Sequence, residues 1–156
     1  MMRPLHAIHH MKGPGFTLVE LLVVITLLAI LATVGIPNFG PTVANGRATA
    51  TANDLLGALQ LARSEAVRLN EPVEIIPEDP NNWALGWTIE RDGADIRVRE
   101  ALARVTITGP TQIEFGSAGN AVPADSFQIT ANGGGNPQRC IRVTASGSAA
   151  VNPGGC

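Results

Sequence analysis

Residues Gly13–Phe39 read GPGFTLVELLVVITLLAILATVGIPNF. Between Phe16 and Ile36 there are 21 residues, and Glu20 alone among them is ionisable. As an α-helix this stretch measures about 31 Å, close to the ~30 Å hydrocarbon core of a bilayer. A secretory signal peptide carries an apolar run of only about 7–15 residues, so a cleaved export signal is the wrong shape. Arg3 and Lys12 precede the run. Basic flanks stay cytoplasmic, which sends the C-terminal part outward. Glu20 is the anomaly. A carboxylate costs about 2.5–3.5 kcal/mol at a helix centre in a membrane and less near its end. With no cation nearby in the span, its partner must be another chain or an N-terminus.

The chain has 156 residues, room for one modest domain beside this anchor, and a formal net charge of −2. His6, His9, His10 and the only lysine, Lys12, all precede Gly15. Removing Arg3 and Lys12 leaves 11 − 2 = 9 cations against 13 acids, a net charge of −4. The histidine cluster then belongs to a disposable leader rather than a metal site. Beyond Gly15 the absence of histidine excludes Ser-His-Asp triads and imidazole metal ligation. The glycine-rich NGGGNP (132–137) lacks the Lys and Ser/Thr of a phosphate loop. Neither an enzyme nor a cofactor or metal is expected. Cys140 and Cys156, an even pair in an exported domain, are expected to form a disulfide.

After the span, Gly35, Pro37, Gly40 and Pro41 predict a kink or break, with Pro37 at its centre. Helix is expected again over 42–69. There Leu55, Leu56, Leu59, Ala62, Ala66 and Leu69 recur at helical spacing, and the charged residues fall mostly between them. Asn70-Glu71-Pro72 ends it. From Pro72 the period changes to two. WALGWTIE places Trp83, Leu85, Trp87 and Ile89 on one face; DIRVRE places Ile96 and Val98 on one face and Arg97 and Arg99 on the other. Asp92-Gly93 between them signals a hairpin in which Ile89 faces Ile96 and Trp87 faces Val98. RVTIT, TQIEF, SFQIT, CIRVT and SAAV are further strands. The expected fold class is α+β, a long N-terminal helix packed on antiparallel β-sheet.

The N-terminal segment resembles type IV pilins and type II secretion pseudopilins: Gly15, then Phe16, Glu20 four residues on, and an apolar run to Pro37. The stretch ANDLLGALQLARSEAVRLNEPVEI (52–75) looks like the FimT/GspH group of minor pilins and pseudopilins. The resemblance implies a structural subunit of a type IV pilus or a type II secretion pseudopilus. A prepilin peptidase would remove residues 1–15 at the Gly15–Phe16 bond and N-methylate Phe16. Met11 offers a second start with the shorter leader MKGPG, and Pro14 is an uncommon choice before the cut. Residues 16–36 would form the transmembrane and assembly helix, and 37–156 a periplasmic domain, helical to 69 and β-rich from 72. Glu20 would pair with the N-terminal amine of a neighbouring subunit. The implied partners are other pilin or pseudopilin subunits, the peptidase, an inner-membrane assembly platform and inner-membrane lipid. DNA is the alternative ligand, because some FimT-type pilins bind it through a C-terminal Gly-Arg-x-Arg. The comparable stretch here is SGSAAV (146–151), which lacks that motif; Arg139 and Arg142 remain, at a spacing that puts them on opposite strand faces.

Overall fold

A computed structural model describes residues 15–34 and 39–156. The chain divides into two compact units, one up to Asn38 and one from Phe39 to Cys156. In the first, α1 runs from Leu18 to Val34. Thr17 caps it: its hydroxyl accepts the Glu20 N–H at 3.2 Å and its carbonyl accepts the Leu21 N–H. The Thr-x-x-Glu spacing is that of a capping box. Phe16 and Thr17 therefore precede the helix, and its 17 residues span about 26 Å. Among the described residues no helix is long and apolar enough to cross a membrane. The expected span over 16–36 reaches beyond them at its C-terminal end, and Pro37, with the kink expected there, lies outside them. The Thr26 hydroxyl donates to the Leu22 carbonyl at 2.7 Å, satisfying a polar group that the apolar surroundings would otherwise penalise. Large apolar side chains from Leu18 to Leu31 are exposed on every side of α1. A helix apolar all round requires lipid or protein around it.

The second unit is built on α2, Gly40–Leu69. It starts two residues before the expected Thr42, because Pro41 in the first turn needs no N–H partner. Asn70 ends it in the left-handed conformation (φ 56°), with its N–H on the Ala66 carbonyl. The buried stripe contains Leu55, Leu59, Ala62 and Ala66, as the periodicity implies, and continues N-terminally through Ala44, Ala48 and Ala52. Leu56 lies at the stripe's edge, half-buried. These alanines let two sheets lie close against one helix.

The strands are β1 Val73–Asp79, β2 Asn82–Arg91, β3 Ala94–Glu100, β4 Val105–Thr108, β5 Ile113–Phe115, β6 Ala121–Val122, β7 Ser126–Ala131, β8 Gln138–Val143 and β9 Ala149–Pro153. They form a five-stranded sheet, β3-β2-β1-β5-β6, and a four-stranded sheet, β4-β7-β8-β9, with every pairing antiparallel. The chain is thus α+β, with two sheets on the helix. Val73, Ile75, Ile113 and Phe115 from one sheet and Ile107, Phe127, Ile129 and Ile141 from the other are fully buried. Trp83 joins the sheets. Its ring meets Phe127 edge-on at 4.8 Å, and its Nε1–H donates to the Pro110 carbonyl at 2.7 Å.

The β2–β3 hairpin turns at Asp92-Gly93, both at positive φ, the requirement of the favoured two-residue turn. Its register differs from the alternation reading. Ile89 pairs with Arg97 and Trp87 with Arg99, because a bulge follows Ile89 and leaves Ile96 as the extra residue. One inserted residue exchanges the faces of a strand. Arg97 and Arg99 therefore stand on the side of Trp87 and Ile89, and Val98 points away, 58% exposed. Leu85 also leaves the expected apolar face and is 46% exposed, while Trp83, Trp87 and Ile89 are buried. The cause is Gly86, at φ +116°, where the alternation breaks; a Cβ there would stand 2.3 Å from the Arg99 carbonyl oxygen.

Candidate assembly site

The N-terminal residues come first. Gly15 and Phe16 are exposed and lie ahead of α1, outside any helix or strand, and Glu20 sits in its first turn. The backbone N–H of Glu20 is held by Thr17, yet among the described residues its carboxylate has no hydrogen bond or ion pair. A first-turn acid faces the positive end of the helix dipole, which eases its cost there. An unpaired carboxylate in an apolar stretch is nevertheless open to a cation from outside the chain. The Thr17–Glu20 cap is visible in the sequence as a Thr-x-x-Glu pattern at the start of the apolar run.

At the other end, Cys140 and Cys156 form a disulfide with Cα atoms 5.1 Å apart. Cys140 opens onto the outer face of its sheet opposite Gln128. The Gln128 side-chain oxygen accepts the Cys156 N–H at 2.6 Å, and the Gln138 carbonyl accepts the Gly154 N–H. The bridge thereby ties the Pro/Gly tail back across two strands.

Arg139 and Arg142 do not converge. Arg139 faces α2 and donates to the Asn45 side-chain oxygen at 2.7 Å and the Thr49 hydroxyl at 3.0 Å. Arg142, three residues on, is exposed beside Ser126 on the other face. Arg63, which alternation and periodicity did not single out, anchors two loops: it donates from Nε to the Gly119 carbonyl and from Nη2 to the Ser146 carbonyl, both at 3.0 Å. Gly147, at φ +76°, packs so tightly there that a Cβ would lie 1.8 Å from the Gly119 oxygen. On the outer face of the larger sheet, Glu74 is opposite both Glu90 and Glu114. Burial first, then the Glu114 and Glu90 carboxylates, raise its pKa above the usual range. Among the described residues no group of His, Cys, Asp and Glu is placed to hold a metal ion.

Two family profiles match these features. The prokaryotic N-terminal methylation motif covers residues 12–36, the segment containing Gly15, Phe16 and Glu20. The profile of type II transport protein GspH covers residues 51–147, more than half of the chain. The chain belongs to the GspH family. Among solved structures, this GspH-family chain is similar to the type IV minor pilin FimU of Pseudomonas aeruginosa in two crystal forms. One has TM-score 0.60 and 24% identity over 67% of this chain and 92% of FimU; the other has 0.63 and 23% over 72% and 93%. It is also similar to the minor pseudopilin EpsH of the type 2 secretion system of Vibrio cholerae, with TM-score 0.53 and 12% identity over 69% of this chain and 97% of EpsH. At these identities the likeness concerns the fold, which is that of a minor pilin or pseudopilin. No curated protein matches the chain significantly.

Proposed function

We propose that this chain is a minor pilin or pseudopilin that is processed at the inner membrane and built into a type IV pilus or a type II secretion pseudopilus. Its work is structural. A prepilin peptidase removes residues 1–15 and methylates Phe16. Residues 16–36 hold the processed subunit in the inner membrane, and residues 37–156 lie in the periplasm. An assembly platform then lifts it into a filament among other subunits. The observation that carries this reading is Glu20, a carboxylate without a partner among the described residues, in a helix apolar on all sides and inside a matched methylation motif. An incoming subunit's carboxylate meets the amine of a neighbour's Phe16, and each neutralises the other where water is excluded. DNA uptake draws less support, because Arg139 is engaged by α2 and Arg142 lies on the opposite face.

The test is Glu20→Ala. The variant should still enter the membrane, since removing a charge favours insertion. Its share in sheared filaments or a pseudopilus fraction should fall about tenfold or more, because breaking a desolvated charge pair costs roughly 2–5 kcal/mol. Incorporation equal to the unsubstituted chain would show that this carboxylate does not guide assembly.

A further inference from the structure

The bulge in the β2–β3 hairpin has a chemical result. It turns both Arg97 and Arg99 toward α2, across an open cleft of about 270 Å³. Trp87, 3% exposed, forms part of the cleft's lining. Its helix side is Asn53, Asp54, Gly57 and Ala58. Gly57 leaves that wall open: a Cβ there would meet nothing within 4 Å. Arg99 donates to the Asp54 carboxylate at 2.7 Å. Among the described residues the Arg97 guanidinium has no hydrogen bond or ion pair. The cleft therefore holds two cations against one acid, and one fork of donors is unused. β3 is an edge strand with all seven residues exposed, so the cleft is reachable from outside.

We propose that this cleft receives a single carboxylate side chain from the surface of a neighbouring protein subunit. The proposal rests on the filament-subunit reading above. A planar guanidinium matches a carboxylate through two parallel N–H···O bonds, which a lone free arginine beside an amide side chain can supply. Asn53 provides the amide. A nucleic-acid backbone suits the cleft poorly. Its phosphates repeat along a track and need a run of cations, whereas the same hairpin carries four acids, Glu90, Asp92, Asp95 and Glu100, beside its three arginines, of which Arg91 pairs with Glu71. An isolated carboxylate brings a single charge and meets far less of that repulsion than a phosphate track. The contact is a specificity device more than a source of affinity, since it fixes which face of a partner can approach.

The test is photo-crosslinking in cells that assemble the filament, using the full chain with p-benzoylphenylalanine in place of Gly57. The cleft should crosslink to a peptide of another filament subunit that contains Asp or Glu at or beside the linked residue. Adding Arg97→Glu should lower the yield about tenfold, the scale of one lost charge pair. Arg97→Lys should recover part of it. Both exposed substitutions should leave the thermal midpoint unchanged. Crosslinks to DNA, to a peptide without a carboxylate, or in undiminished yield with Arg97→Glu would overturn the proposal. The same cells report the filament fraction of the unsubstituted chain. If that chain assembles while the crosslink is absent, the cleft proposal alone falls; if it does not assemble, both readings fall.

Discussion

Trp83→Ala should lower the stability of the unit from Phe39 to Cys156 by about 3–5 kcal/mol, the range for deleting a fully buried aromatic ring. Trp83 is completely buried and sits where the two sheets meet, edge-on to Phe127 across the boundary. Its removal leaves a cavity at that junction and strips the Pro110 carbonyl of its donor. Total stabilities of small domains are about 5–15 kcal/mol, so the variant should be marginal. Trp83→Phe keeps most of the ring but loses the N–H, and should cost roughly 1–3 kcal/mol. Urea unfolding of the full chain in detergent, followed by circular dichroism, measures both. A loss below about 1 kcal/mol for Trp83→Ala would mean that the junction repacks without the ring.

The Cys140→Ser/Cys156→Ser double variant should lose about 3 kcal/mol, the chain-entropy value for a loop of this size. The bridged residues are 16 apart in sequence. Without the bridge the tail retains the Cys156 and Gly154 hydrogen bonds, and β9 remains paired to β8. The expected result is therefore a lower unfolding midpoint with the fold kept. Thiol labelling of the denatured, unreduced protein should find no free cysteine. Two reactive thiols, or an unchanged midpoint in the double variant, would contradict a stabilising bridge.

Some of this was legible in the residues, for identifiable reasons. The α2 stripe from Leu55 to Ala66 follows helical period, and a long helix gives that period many chances to repeat. Asp92-Gly93 marks its hairpin because few residues tolerate positive φ at two successive positions. The hairpin's faces were not legible. A bulge adds one residue with no compositional mark, and every side chain beyond it changes face. Val98, Arg97 and Arg99 consequently stand on the sides opposite to those that strict alternation gives them. Gly86 has the same effect on Leu85: a glycine in a strand is visible, but the positive φ that it takes is not. The division into two sheets rests on contacts distant in sequence, such as Trp83 with Phe127, which no local pattern encodes. Arg63 looked like one more charge on a helix flank, and its role depends on two loops more than fifty residues away. In the N-terminal segment Glu20 stands out because a single charge in an apolar run is rare and costly, whereas Gly15 and Phe16 are marked only by the family resemblance.

The account depends most directly on what happens at the Gly15–Phe16 bond. Mass spectrometry of the chain recovered from membranes of cells with an active prepilin peptidase reads that bond without reference to any filament. The predicted product begins at Phe16 and carries an N-methyl group on its amine. A chain still starting at Met1 or Met11, with Gly15 and Phe16 joined, would contradict the filament-subunit reading at its root.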